Sequence, residues 1–320
     1  MRSTHLAGLA AACALALCTG VASAKPIAAD LRVQGSGAPA LTADRYMTDT
    51  TRVRTDNTRC NGSGDTKQLQ GPTALGLLVD ATRANRRLDP LGVSDEFDFG
   101  LLVCGVHDDF AEGTSSFWLY KVNHVSPEVG ADQYRVKPGD DILWFFSDTS
   151  ANVNTGDELD LVAPARAERG DEIEVRTYAY DFAGVRRPLE GVLVSGGDED
   201  VRSDAAGLAP VTVDRNATVS LQASLAPHIP SAPVAVCVNE ELSECPAVRG
   251  ETLFGSFRGE RIRGTAGPDV VRAGKGRDRI LVRRGGRDRV RCGKGRDTVL
   301  AGRGDRVARD CEVVRRRGRM

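Results

Sequence analysis

GERIR at 259–263, GPDVVRAGKGRDRIL at 267–281, GRDRVRCGKGRDTVL at 286–300 and GDRVA at 304–308 share one frame: a glycine, an acid within two positions, and Ile or Val two positions further on. The apolar positions are Leu253, Ile262, Val271, Ile280, Val290, Val299 and Val307, at intervals of 9, 9, 9, 10, 9 and 8, and an acid lies two positions before each after the first. Glycine permits a turn with positive φ, the acid ends the turn, and the β-branched residue starts a short inward-facing strand. A unit this short buries its apolar side only by stacking on copies of itself, so the repeat predicts a parallel β-roll over 251–314.

These residues resemble the glycine- and aspartate-rich RTX (haemolysin-type) calcium-binding repeats of secreted bacterial proteins, which implies calcium as a cofactor. In a roll, acids on one side come from alternate nonapeptides, so Glu260, Asp278 and Asp297 form one column and Asp269, Asp288 and Asp305 another. Calcium takes about six to eight oxygens at about 2.3–2.6 Å, which loop carbonyls and stacked carboxylates can supply. Three departures weaken the metal reading: the first loop glycine is mostly missing, the spacing slips near Gly285-Gly286 and Gly304, and Arg277, Arg279, Arg287, Arg289 and Arg296 flank the acids. Positive charge beside a dication site lowers affinity. The alternative is that guanidinium groups replace calcium and pair with the acids from coil to coil.

The net charge of −1 conceals a division. Residues 251–320 hold 21 Lys/Arg and 9 Asp/Glu, a net of +12, which leaves 22 basic and 35 acidic residues and a net of −13 in 1–250. A basic region of this kind attracts polyanions such as envelope polymers, or merely balances the acidic part. Arg2, the apolar run Leu6–Cys18 and the small residues Val21-Ala22-Ser23-Ala24 read as a signal peptide over 1–24, so the chain is expected to be secreted. The apolar run is shorter than the about 20 residues of a transmembrane span, so none is expected. Six cysteines follow, and an even count in an exported chain reads as disulfides. Sequence leaves 15 connectivities open; local pairing gives Cys60 with Cys104, Cys237 with Cys245, and Cys292 with Cys311. The last pair is separated by 19 residues, one full coil of the roll, and would staple its open end.

Phe117-Trp118-Leu119-Tyr120-Lys121-Val122-Asn123 and Ile142-Leu143-Trp144-Phe145-Phe146, the latter after the turn Pro138-Gly139-Asp140, read as two aromatic strands. Thr73–Asn85 has apolar residues at helical spacing behind a capping threonine. Trp118, Tyr120, Val122 and Asn123, with Gly139, Asp140, Ile142 and Trp144, resemble the β-domain of cobalamin carriers (the transcobalamin-like C-terminal domain, DUF4430-like). That family usually has glycine where this chain has His124. The resemblance implies a ligand at Trp118, Tyr120 and Trp144; the plainer reading of alternating aromatics is core packing. The carriers' companion helical domain is absent.

ELDLVA at 158–163, EIEVRTYAY at 172–180 and GVLVS at 191–195 alternate as short strands and predict an Ig-like β-sandwich. SDAAGLAPVTV at 203–213 looks like the turn-and-strand signature of bacterial Ig-like repeats. The fold class is therefore mainly β: a small α+β, β-grasp-like unit over 25–150, the sandwich over 151–235, a linker with a local disulfide over 236–250, the roll, and a basic tail over 315–320. His107, His124 and His228 lie in no zinc or nucleophile motif, and His107-Asp108-Asp109 reads as a solvated turn. The expected function is non-enzymatic binding at the cell envelope or outside it, with a polyanionic envelope polymer as partner of the basic region; a small-molecule, corrinoid-like carrier is the alternative.

Overall fold

The computed structural model describes residues 26–37 and 39–316; the expected signal segment and the last residues of the basic tail lie outside them. In the first unit β1 (Ile27–Gln34) pairs antiparallel with β2 (Thr42–Thr48) and parallel with β4 (Asp141–Asp148), and β3 (Ser116–Val122) pairs antiparallel with β4. The order β2-β1-β4-β3, with two parallel central strands, is β-grasp-like.

Parallel central strands require a crossover, and α1 (Ala74–Ala84) lies within it. The Thr73 hydroxyl caps the helix by accepting the Gly76 N–H at 3.0 Å. Leu75, Leu77 and Leu78 are wholly buried with Leu31, Ile142 and Trp144, each leucine contributing about 2 kcal/mol. On the other face of β4, Leu143 and Phe145 meet Ile229 of the middle unit.

The middle unit is a two-sheet sandwich. Strands Glu158–Val162, Glu172–Tyr180, Arg186–Pro188 and Leu208–Thr212 form one sheet; Arg166–Glu168, Val234–Asn239, Ala217–Ser224, Leu193–Ser195 and Val201–Arg202 form the other. Alternation along Glu172–Tyr180 buries Ile173, Val175, Thr177 and Ala179 against Val219, Leu221 and Val236 of the opposite sheet. Pro227–Pro233, near the end of the expected sandwich, is held to it because Ile229 donates to Asp157 and accepts from Leu159, both at 2.9 Å. Likewise Val234–Asn239 is a strand between two partners, so the sandwich extends into the expected linker 236–250.

The C-terminal unit is a coil of parallel strands in two sheets. One stacks β5 (Thr252–Phe254), β7 (Val270–Arg272), β9 (Arg289–Arg291) and β11 (Arg306–Val307); the other stacks β6 (Arg261–Arg263), β8 (Arg279–Val282), β10 (Thr298–Ala301) and β12 (Val313–Arg316). Leu253, Ile262, Val271, Ile280, Val290 and Val299 fill the space between them. Gly276 and Gly295 hold φ of +124° and +152°, and a Cβ there would collide with the carbonyls of Arg258 and Gly276, one coil earlier. The repeat's glycines are thus required by the stacking itself. Cys60–Cys104, Cys237–Cys245 and Cys292–Cys311 are disulfide-bonded.

The roll is joined to the first unit by its sheet. β5 pairs parallel with β2, Leu253 opposite Arg45 and Phe254 opposite Tyr46, so one eight-stranded sheet runs β11-β9-β7-β5-β2-β1-β4-β3.

Candidate functional site

The repeat acids stand in the two columns expected, and all are buried. Within each column a carboxylate accepts the backbone N–H of the acid one coil earlier: Glu260 donates to Asp278, Asp278 to Asp297, Asp269 to Asp288, each at 2.8 Å, and Asp288 to Asp305 at 3.2 Å. Glu251 begins the second column by donating to Asp269 at 2.9 Å, and Glu312 ends the first by accepting from Asp297 at 2.8 Å.

The acids differ in what meets their second oxygen. Glu260 is met by the Ser256 N–H and hydroxyl. Asp269 Oδ2 takes the Thr265 N–H at 2.6 Å while the Thr265 hydroxyl joins Glu251 on Oδ1 at 2.7 Å, and Asp305 Oδ2 takes the Gly302 N–H at 2.5 Å. The remaining loops, Gly274–Arg277, Gly285–Arg287 and Gly293–Arg296, carry no hydroxyl. There Oδ2 of Asp278, Asp288 and Asp297 is buried and without a hydrogen-bond partner. A buried carboxylate oxygen without a partner is costly, and burial pushes Asp278 up to about 7 and Asp288 up to about 6. Glu260 rises to about 7 for the same reason, against the pull of Ser256.

The expected arginine replacement of calcium is not found. Among the described residues no ion pair joins Arg277, Arg279, Arg287, Arg289 or Arg296 to a column acid. The flanking positions alternate with the acids along the chain, so the guanidiniums point outward while backbone amides cap the carboxylates. Parallel pairing then stacks like charges: Arg261 beside Arg279, Arg272 beside Arg291, Arg289 beside Arg306, and Lys275 beside Lys294.

A second cluster of charge lies between the first unit and the sandwich. Arg32 donates to Glu158 at 2.5 Å, His124 Nδ1 lies 3.1 Å from the same oxygen, and Lys121 Nζ is 3.7 Å from the other. Burial opposes charge on Glu158, but the His124 hydrogen bond and Arg32 outweigh it and hold the carboxyl below its ordinary range; burial lowers Lys121. His124 keeps a φ of +70°, the conformation glycine favours, and its ring stacks on Tyr180 at 3.7 Å. The side chain at this glycine position therefore fastens two units together, which the sequence pattern did not reveal. His107 and Asp108 form an exposed turn, with side chains 39% and 89% accessible.

Of the aromatic residues, Trp118 and Trp144 are 3% and 2% exposed and belong to the core beneath α1. Tyr120 lies opposite Trp144 in register and stacks on it at 5.3 Å. All three border a groove of about 330 Å³ that Phe99, Leu119 and Phe182 complete.

Two family models match parts of the chain. Residues 97–148 match a domain of unknown function, DUF4430, and residues 254–286 match the RTX calcium-binding nonapeptide repeat. No curated protein matches the chain. No protein of solved structure matches it. The chain therefore carries RTX calcium-binding repeats, which are typical of secreted proteins, and its three disulfides fit an extracellular location. No helix among the described residues is long and apolar enough to cross a membrane, and no group of three or more His, Cys, Asp or Glu side chains gathers there as a metal cluster.

Proposed function

We propose that the chain is an extracellular, non-enzymatic binding protein whose roll presents stacked cations to a polyanionic polymer of the cell envelope. The observation that carries this reading is the ladder of unpaired Arg and Lys pairs on the roll. Like charges directly opposite on neighbouring strands, about 4.8 Å apart, repel one another, and a bound polyanion removes that cost. Retention on immobilised heparin, used as the probe, is expected to fall steeply with salt, and the slope to shrink in an Arg279→Ser/Arg289→Ser variant. Salt-insensitive retention, or an unchanged slope, overturns the reading.

Calcium belongs to the same proposal. Oδ2 of Asp278, Asp288 and Asp297 are buried carboxylate oxygens without a hydrogen-bond partner among the described residues, which a hard cation would satisfy, with loop carbonyls completing its shell. Glu260, Asp269 and Asp305 already have partners in their own loops and contribute less. Calorimetric titration with calcium tests this; no heat at neutral pH counts against it.

The second reading is a small-molecule carrier, transcobalamin-like, through the aromatic unit. Its support is the groove beside Trp118, Tyr120 and Trp144. Tryptophan fluorescence unmoved by corrinoids and other small ligands would argue against it.

A further inference from the structure

A cleft of about 380 Å³ lies where the roll meets the end of α1. Phe254, Phe257, Arg272, Lys275 and Lys294 line it from the roll, and Arg83 from the last turn of the helix. Small residues complete the lining, and no Asp or Glu belongs to it. The four cations are exposed. Coil stacking builds their wall. Lys275 and Lys294 are register partners, and Phe257 holds the same place one coil earlier, 18 residues before Lys275, the offset that pairs Arg261 with Arg279. Phe254 and Arg272 are likewise partners, and the Arg272 guanidinium lies over the Phe254 ring, 5.3 Å from its centroid. Each row therefore starts with a phenyl ring in the coil that joins the first unit and continues in cations, about 4.8 Å from one coil to the next.

Arg83 closes the opposite wall. It donates to the Thr51 hydroxyl at 2.6 Å and to the buried Asp80 at 3.2 Å, and its guanidinium lies 5.1 Å from the centroid of the Phe257 ring. Asp80 also accepts the Thr48 and Thr51 hydroxyls, so its charge is held beneath the surface. Arg272, Lys275 and Lys294 enter no ion pair among the described residues. Phe257, beside them, is 41% exposed. The cleft thus joins uncompensated positive charge to an apolar ring surface.

We propose that this cleft seats a short stretch of an acidic polysaccharide, whose sulfate or carboxylate groups meet Arg272, Lys275 and Lys294 while one sugar ring lies against Phe257. The inference rests on the polyanion reading above and adds to it a site and a ligand class. The phenyl ring favours a glycan over a bare phosphate chain, because a sugar ring has C–H surface to pack on it and inorganic polyphosphate has none. The two walls belong to different units, so a ligand seated between them holds the roll against α1 and stabilises the folded chain.

Calorimetric titration of the chain from Lys25 onward tests this, with a heparin hexasaccharide as the probe and an inorganic polyphosphate of similar charge beside it. The hexasaccharide is expected to bind at one site per chain and to raise the melting temperature. Lys275→Ser/Lys294→Ser, at two exposed positions, should weaken it about tenfold for each lysine lost and abolish the rise in melting temperature, while Lys275→Arg/Lys294→Arg keeps both. Phe257→Ala should weaken the hexasaccharide and leave polyphosphate unchanged. Arg279→Ser/Arg289→Ser, whose positions lie outside the cleft, should lower retention of long heparin more than affinity for the hexasaccharide. If long heparin is retained with a steep salt dependence but the hexasaccharide does not bind, or binds the serine variant as tightly as wild type, the site is wrong and the polyanion reading stands. Retention that ignores salt overturns both. Polyphosphate binding that falls with Phe257→Ala as much as hexasaccharide binding overturns the glycan class.

Discussion

Phe254 of the roll stacks on Tyr46 of the first unit, ring centroids 4.7 Å apart and planes 8° from parallel. The contact sits where β5 adds to β2, and both rings belong to the first unit's core. Arg45 supports it from the other side, bonding Asp30 at 2.8 Å and Glu251 at 2.7 Å, while Arg258 reaches Asp49 at 2.8 Å. The first unit thus caps the roll's starting coil, as repeat arrays require.

Phe254→Ala should therefore cost about 3–5 kcal/mol and uncouple the two units. Calorimetry is expected to show the roll melting as a separate, earlier transition, where the wild-type roll and first unit melt together. An unchanged thermogram would mean that the shared sheet carries no stability.

The acid columns make the roll's stability depend on pH in a defined sense. Burial raises Glu260 and Asp278 to about 7 and Asp288 to about 6, above their unfolded values of 4.5 and 3.8. The folded state then binds more protons than the unfolded state between about pH 4 and 7, so without calcium stability falls as pH rises through that window. Calcium must displace those protons, so its stabilisation should be largest above pH 7 and smallest below pH 6. Thermal melts of the chain at pH 5 and pH 8, with calcium and with chelator, check both signs. Stability without calcium that rises from pH 5 to pH 8 would contradict the column geometry.

Legibility in the sequence followed the range of the interactions. The roll was readable because its period is local, and the capped helix at Thr73 because its signal spans a few residues. The split among the acids is readable in principle: Ser256 and Thr265 stand four residues before Glu260 and Asp269, where the loops before Asp278, Asp288 and Asp297 have Gly274, Arg284 and Gly293. What sequence could not carry is contact between distant strands. Nothing near Tyr46 announces that Phe254 will pair beside it, and Glu158 reads only as one member of an alternating strand. The arginines beside the acids suggested ion pairs, but strand alternation turns neighbours to opposite sides.

The Cys292–Cys311 bridge closes a loop with a sequence separation of 19 at the roll's free end. Replacing both cysteines with serine should cost about 3 kcal/mol. The loss should be confined to the last coil, since the starting coil is held by β2. Hydrogen exchange is expected to quicken at Thr298–Ala301 and Val313–Arg316 and to leave Thr252–Phe254 unchanged. Uniform acceleration across the roll would instead show that the coils unfold as one unit.

Glu158 sets the join between the first unit and the sandwich. Its side chain is 3% exposed and neutralises Arg32, 9% exposed, and Lys121, 1% exposed. Glu158→Ala leaves two cations buried without an acid, a change of about 3–5 kcal/mol in such sites. An apolar replacement of both Glu158 and Arg32 should cost less than the single change, because it removes the uncompensated charge together with its partner. Urea denaturation of the single and double variants measures the difference. If the single variant is as stable as wild type, the cluster does not hold the two units together; if the double is worse than the single, packing rather than charge governs the join.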